Sequence, residues 1–438
     1  MVKNRDLICE NLSISDDGIL HFAGQSTAAL AKQYGTPLYL MDEDRIRNRM
    51  QTYIRGMRAA FGEYGHVLYA SKAASFKRIY EIAKEEGIGI DVVSSGEIAT
   101  AAKAGFPLER AYFHSNNKTD QDICYAIEKG VGFFVVDNEE ELYAIDQIAG
   151  QYGKKQPLLL RITPGIDPHT YAAVNTGTVD SKFGTAIETG QAEEITKLAL
   201  SLPNIDLQGF HCHVGSQVFD AQVPLQTADI MIHFLAEMNQ KLGFAAKKLD
   251  LGGGFGVRYT HNDPHMDIEY NLLMVGQRVQ ALVAQLGIPM PHIFVEPGRS
   301  IVADAGMTLY TMGTCKKIPG YKSYVSVDGG MTDNPRYILY GSSYTLLPAS
   351  RMHDDRNMLC SVVGRCCESG DVIQEHVRMP DSLKRGDLIA CLTTGAYNYS
   401  MASNYNRIPR PALVMLRGAE SYVAIQRETP DDVVRLDI

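Results

Sequence analysis

HVLYASKAASFKRIYEIAKEEGIGIDVVS, residues 66–94, reads as a strand, a helix and a second strand in series. HVLYAS is a short apolar and aromatic run that ends at a small-residue turn. Residues 76–86 then carry apolar positions at helical spacing, and GIDVVS opens the next run at Gly89. The same rhythm continues outward. AYFHS begins at Ala111, GFFVVD at Gly132, PLLLRI at Pro157, GFHCHV at Gly209, KKLDLGG at Lys247 and HIFVEPG at His292. Helical patterns fall over 97–104, 120–129, 139–150, 192–201 and 224–242. About eight strand–helix units in a row predict a (β/α)8 TIM-type barrel over residues 36–303, with a doubly wound open sheet as the competing topology.

After residue 305 the texture changes. SYVSVD, KRGDLIAC and PALVML are separated by Gly, Pro and Asp turns, with few long helical periods, which predicts a mainly β domain. Short runs around Leu7 and Leu20 look similar, so residues 1–35 are expected to join 304–438. The chain has 438 residues, 45% hydrophobic and 21% charged, with a net charge of −9. This composition suits a soluble globular protein, and its acidity argues against nucleic acid as a partner. No window approaches 18 uninterrupted apolar residues, so no membrane span is expected. MVKNRDLICENLSISDDG carries acids and no long apolar core, unlike an export signal. The eight cysteines contain no CxxC, and they are expected to be reduced thiols in a cytoplasm.

In a barrel enzyme the reacting groups follow the strands, and here those positions are rich in chemistry. Lys72 follows the first run among small neighbours. An amine partly removed from water there has a lowered pKa and can form a Schiff base; the plainer reading is a surface lysine ending a strand. SNNK, with Asn116 and Asn117, follows the third run. HCHVGSQ puts His211 and His213 on one face of a strand. They read as metal ligands, as a flat ring stacked on an aromatic cofactor, or as core histidines. No Cys or acidic partner stands at metal-site spacing, so no metal is expected. LDLGGGFG offers bare amides to an anion, but it matches neither a dinucleotide fingerprint nor a Walker loop. EPGRS sets Glu296 and Arg299 three residues apart, either as recognition groups or as a structural ion pair. CCESGD at 366–371 and GAYNYSMASNYN at 395–406 add a thiol, a carboxylate and a tyrosine within the β region.

Taken in order, YASKA, HCHVGSQ, GGGFG, EPGRS, CCESGD, GAY…SMASNYN and RPALV resemble the pyridoxal-phosphate decarboxylases built on the alanine-racemase-type barrel. The resemblance runs from about residue 36 to about 414. It is strongest to the branch that converts meso-2,6-diaminopimelate to L-lysine and CO2, the last step of lysine biosynthesis. It implies a barrel plus a β domain, pyridoxal 5'-phosphate as cofactor, and a small amino acid as substrate. Lys72 resembles the cofactor-carrying lysine, and His213 the ring stacked on the pyridine. Ser216, Gly253 and Gly254, with the EPGR backbone at Gly298 and Tyr397, resemble the phosphate cup. Glu296 resembles the partner of the pyridine nitrogen. Arg299, Arg336 and Tyr340 resemble the clamp on substrate carboxylates, Glu368 the reader of the distal ammonium, and Cys367 the proton donor. In this family the last two reach across a subunit boundary, which implies an obligate homodimer.

Two positions depart from the pattern. Ala74 stands where many members have Asn, and Tyr337 where many have Pro. A racemase of the same barrel would place a basic residue, not Glu296, at the pyridine nitrogen. Ornithine and arginine decarboxylases usually carry Asp rather than Glu after the cysteine. A paralogue acting on a related or carrier-tethered amino acid would keep nearly all these motifs. A non-catalytic cofactor carrier would lack the β domain.

Overall fold

The computed structural model describes residues 7–166 and 181–438. All eight expected strands form. They are β1 (Gly65–Ala70), β2 (Gly89–Val92), β3 (Ala111–Phe113), β4 (Phe133–Val136), β5 (Gln156–Thr163), β6 (Ile205–His211), β7 (Lys248–Asp250) and β8 (His292–Val295). Each pairs in parallel with the next. β8 returns to pair with β1, Ile293 opposite Gly65, and this closes the barrel and excludes the open sheet.

The expected helices are present as Lys77–Glu85, Ser95–Lys103, Asp120–Lys129, Glu139–Gln151, Gln191–Ser201 and Gln222–Leu242. Side-chain caps begin several of them. Ser94, Thr119 and Asn138 each accept a backbone N–H from the first turn. Two long helices were not expected, Glu43–Phe61 and Ile268–Leu286. The second carries Gly276 in its middle, where a Cβ would stand 2.7 Å from the Ala60 carbonyl oxygen, so a close crossing uses a residue that weakens the helical signal.

The barrel is filled in layers. Leu68, Tyr112, Val135, Leu159 and Phe294 form an apolar plug. Toward the C-terminal ends of the strands the inward residues become Asp91, Arg161, His211 and Asp250, with Glu296 just past β8.

Two compact units divide the chain. One takes Arg49–Gly256 with Met266–Gly298. The other takes the chain up to Asn48, Val257–His265 and Arg299–Ile438. The second is mainly β. Its long strand Gly306–Lys317 pairs with Leu38–Asp42 on one side and Leu388–Leu392 on the other, then with Ser323–Val327 beyond a bulge at Met312/Thr314. Leu38–Asp42, expected to open the barrel, thus lies in this sheet, also parallel to Ala412–Arg417. LYLMD is buried throughout, and an unbroken apolar run fits either kind of buried strand. A three-stranded sheet of Leu12–Ile14, Leu20–Phe22 and Gln25–Ser26 shares its core, with Leu12, Leu20 and Phe22 packed with Leu40, Leu309 and Val414.

Strand β6 passes β7 closely at Gly209, where a Cβ would lie 1.8 Å from the Lys248 carbonyl oxygen. Gly209→Ala should therefore destabilise by about 2 kcal/mol or more and lower the urea midpoint. Gly96→Ala meets nothing nearer than 3.6 Å and should leave the midpoint equal or higher. Equal midpoints for wild type and Gly209→Ala would refute the close approach.

Candidate active site

Lys72 lies in a short 3-10 turn, Ser71–Ala73, directly after β1. Ser71, Ala73 and Ala74 are buried around it, and the Tyr69 hydroxyl donates to the Ala74 carbonyl at 2.8 Å. Lys72 is exposed on this chain, yet its charge acts on His213 and on the buried Asp91, so its amine stands at the barrel mouth. The turn is short and its neighbours are small, so only the long side chain projects.

Glu296 is 7% exposed. Its Oε2 lies 3.2 Å from His211 Nε2, and its Oε1 lies 2.8 Å from His114 Nε2 in ion-pair contact. His114 is held where β3 ends, its N–H donating to the Val92 carbonyl at 2.8 Å. Burial raises the cost of charge on Glu296, yet the two imidazoles hold its carboxyl well below the usual range. Burial pushes His211 down to about 4, so its ring is neutral near pH 7. One donor atom each from His114, His211 and Glu296 falls within 4.8 Å of the others, a spacing open to a cation. The sequence paired His211 with His213 instead. His114 carries no such signal: it ends an apolar strand run without a motif around it.

His213 is half-buried. Burial, then the Lys72 charge, pushes its imidazole well down, so this ring is neutral as well. The Gly253 N–H donates to His213 Nδ1 at 3.2 Å, which puts the ring proton on Nε2. The glycines of 252–254 are demanded by backbone crowding. A Cβ on Gly253 would stand 2.2 Å from the Glu296 carbonyl oxygen, and on Gly254, whose φ is +106°, 2.2 Å from the Gly215 carbonyl oxygen. Gly298 likewise lets its turn approach Ala70. Lys72, His213, Glu296, Ser216 and these glycines therefore belong to one barrel mouth. Gln217, beside Ser216, has φ +62°, a strained conformation of the kind that collects at functional sites.

The β unit carries a second cluster. Arg299 and Arg336 are 7% and 6% exposed. Their guanidiniums lie 4.8 Å and 5.0 Å from the Tyr397 ring centroid, and Arg336 lies 5.0 Å from that of Tyr340. Arg299 donates to the Tyr259 hydroxyl at 2.8 Å, a contact with no signal in the sequence. Arg336 Nε is buried without a hydrogen-bond partner among the described residues. Tyr397 has φ +64°. It follows Gly395, where a Cβ would stand 1.8 Å from the Val302 carbonyl oxygen. Two buried cations beside tyrosine rings suit an anionic ligand, because a buried guanidinium is costly without a counter-charge.

Cys367 and Glu368 are exposed on this chain. The Cys367 N–H donates to Asn406 Oδ1 at 2.8 Å, joining the CCESGD and SNYN segments. Asp371 shapes the loop by accepting N–H bonds from Cys366 at 2.7 Å and Met331 at 2.6 Å. Tyr337, at the departure from Pro, donates its hydroxyl to Glu375 at 3.0 Å.

Residues 44–303 match the family described as pyridoxal-dependent decarboxylase, pyridoxal binding domain. The diaminopimelate decarboxylase of Bacillus subtilis is 42% identical over 421 residues, 96% of this chain and 95% of the relative. That of Staphylococcus aureus is 39% identical, covering 95% and 96%. The crystal structure of diaminopimelate decarboxylase from M. jannaschii superposes with TM-score 0.90 at 30% identity, covering 99% of this chain and 98% of that one. That of Helicobacter pylori complexed with L-lysine gives 0.82 at 32%, covering 94% and 98%.

Glu97 supplies a test of the charge balance at this mouth. Its Oε2 accepts the Val93 N–H at 2.7 Å, and burial, then the Asp91 charge, pushes its carboxyl up to about 7. The folded chain thus keeps this proton to higher pH than the unfolded chain. The associated stability is full below about pH 4.5 and is lost as pH rises through about 7. Glu97→Gln, neutral throughout, should melt above wild type at pH 8 and close to it at pH 5. Identical melting points at pH 8 would count against the raised pKa.

Proposed function

The chain belongs to the pyridoxal-dependent diaminopimelate decarboxylases, and we propose from that premise that it converts meso-2,6-diaminopimelate to L-lysine and CO2. The observation that carries this reading is Glu296, a buried carboxylate kept ionised at the barrel mouth by two imidazoles. A pyridine nitrogen keeps its proton beside such an anion, and loses it beside the basic residue a racemase would use. The donor set fits pyridoxal 5'-phosphate in other ways too: a lysine on a small-residue turn, a neutral imidazole, and a glycine loop that brings backbone close.

In this reading Lys72 would hold the cofactor through its amine. When bound, the cofactor draws off the electron pair that CO2 leaves on carbon. His213 would lie against the pyridine face, Glu296 would hold the ring-nitrogen proton, and Ser216, Gly253, Gly254, Gly298 and Tyr397 would take the phosphate. Arg299, Arg336 and Tyr340 bind substrate carboxylate, where a fixed guanidinium offers paired N–H donors. We assign Glu368 to the distal ammonium and Cys367 to proton delivery at the former carboxyl-bearing carbon. Both are exposed on their own chain, which suits service to a neighbouring subunit and supports a homodimer. None of the eight cysteines is in a disulfide, which supports a cytoplasmic home. Among the described residues no helix is long and apolar enough to cross a membrane.

Purified protein with pyridoxal phosphate should release lysine and CO2 one for one from meso-2,6-diaminopimelate, and Lys72→Ala should release neither. A cofactor absorbance that depends on Lys72, without lysine formation, would sink the substrate assignment and favour a paralogue's substrate. If Cys367 acts across subunits, mixing inactive Lys72→Ala with inactive Cys367→Ala should restore activity in mixed dimers. No recovery after demonstrated subunit exchange would place Cys367 in its own chain's site.

A further inference from the structure

Three carboxylates share the barrel interior. Asp91 is 1% exposed, Asp250 0% and Glu296 7%. Groups this close cannot all hold a charge, so they titrate as a set. Burial drives Asp91 and Asp250 up; at Asp250 the Glu296 charge pushes further, while at Asp91 His114 opposes the rise and Glu296 adds to it. Glu296 goes the other way. The geometry shows why the charge settles there. Each Glu296 oxygen has its own imidazole, 2.8 Å and 3.2 Å away. The two rings brace each other edge to face, with centroids 4.9 Å apart at 74°. Glu296 Oε1 meets His114 at ion-pair distance without hydrogen-bond geometry, so only the His211 contact is a hydrogen bond. By contrast Asp250 has a single backbone donor, the Gly252 N–H at 2.8 Å, and no imidazole is in ion-pair contact with Asp91 or Asp250 among the described residues.

The tautomer of His211 follows from the same geometry. Its Nδ1 is buried with no partner among the described residues. With the proton on Nε2, the ring donates to Glu296 and leaves only a lone pair at Nδ1. The other tautomer would strand a donor at Nδ1 and set a lone pair against a carboxylate oxygen. This also separates hydrogen bonding from metal binding. A cation on Nε2 would force the proton onto Nδ1, where a ligating histidine ordinarily has a partner.

We propose that His114 and His211 are positioning residues that make Glu296, rather than Asp91 or Asp250, the charged carboxylate of the barrel and aim it at the pyridine nitrogen. This rests on the assignment of Glu296 above. The imidazoles act through Glu296, and neither is required to touch substrate.

The test uses holoenzyme loaded with pyridoxal phosphate labelled with 15N in the ring. The wild-type 15N shift should lie at the protonated end of its range. In His211→Leu and His114→Leu it should move toward the unprotonated end, with kcat falling about 10–100-fold, the size of loss seen when an orienting partner is removed, and KM changing less. His211→Gln, which restores an N–H donor, should recover part of both. A protonated shift in folded, cofactor-bearing Leu variants overturns the proposal. An unprotonated shift in wild type overturns the Glu296 assignment itself, and the proposal with it. One measurement needs no variant: 15N-histidine spectra near pH 7 should show His211 protonated at Nε2 and bare at Nδ1, and the reverse tautomer overturns the proposal even if the Leu variants fail to fold.

Discussion

The parallel pairing of β8 with β1 is the contact on which the barrel site depends. An open sheet would scatter its strand ends along a line. Closure turns them into a ring and brings donor atoms from distant parts of the sequence, on His114, His211 and Glu296, within 4.8 Å of one another. Closure also sets the dielectric. The apolar plug beneath keeps water from one side of the polar layer, so carboxylates and imidazoles there interact far more strongly than they would at a surface. The same tightness appears in the glycines at 209, 253 and 254, where backbone approaches backbone with no space for a methyl group.

Burial and charge then divide the work. Of several acids in the barrel, one is held ionised and others are driven toward the neutral form. Several imidazoles in the same place are neutral for the same reason, the cost of burying charge. The β unit differs, with two buried guanidiniums set against tyrosine rings. A buried pair of guanidiniums and a buried ionised carboxylate are thus each pre-built, by different physics, on different parts of the chain.

Much of this was legible in the sequence, and for identifiable reasons. Each barrel strand is an apolar run with a turn behind it, and residues 120–129 carry a helix with clear caps at both ends. Lys72, His213, Glu296 and Arg299 stand in motifs whose neighbours are themselves constrained. His114, Asp91, Asp250 and Tyr259 were not legible as site residues. Each is a single polar residue inside or beside an apolar or mixed run, and its meaning comes from strands far away in sequence. Residues 43–61 form a long helix whose buried Ile46, Met50, Tyr53 and Met57 recur at helical spacing, but abundant arginines obscure the stripe.

The strand Leu38–Asp42 lies parallel to Ala412–Arg417, although nearly the whole barrel sequence separates them. During synthesis this has a temporal meaning. The barrel residues leave the ribosome complete, while their predecessor strand waits for a partner more than a hundred residues later. At ordinary elongation rates that delay is on the order of ten seconds. For that interval LYLMD has Gly306–Leu309 beside it, but its other sheet edge, the one that Ala412–Leu416 covers in the finished fold, is open to other nascent chains. The fold therefore leaves one edge of a central sheet strand uncovered until the last strands emerge, for a time set by the order of elements in the chain rather than by the stability of the finished enzyme.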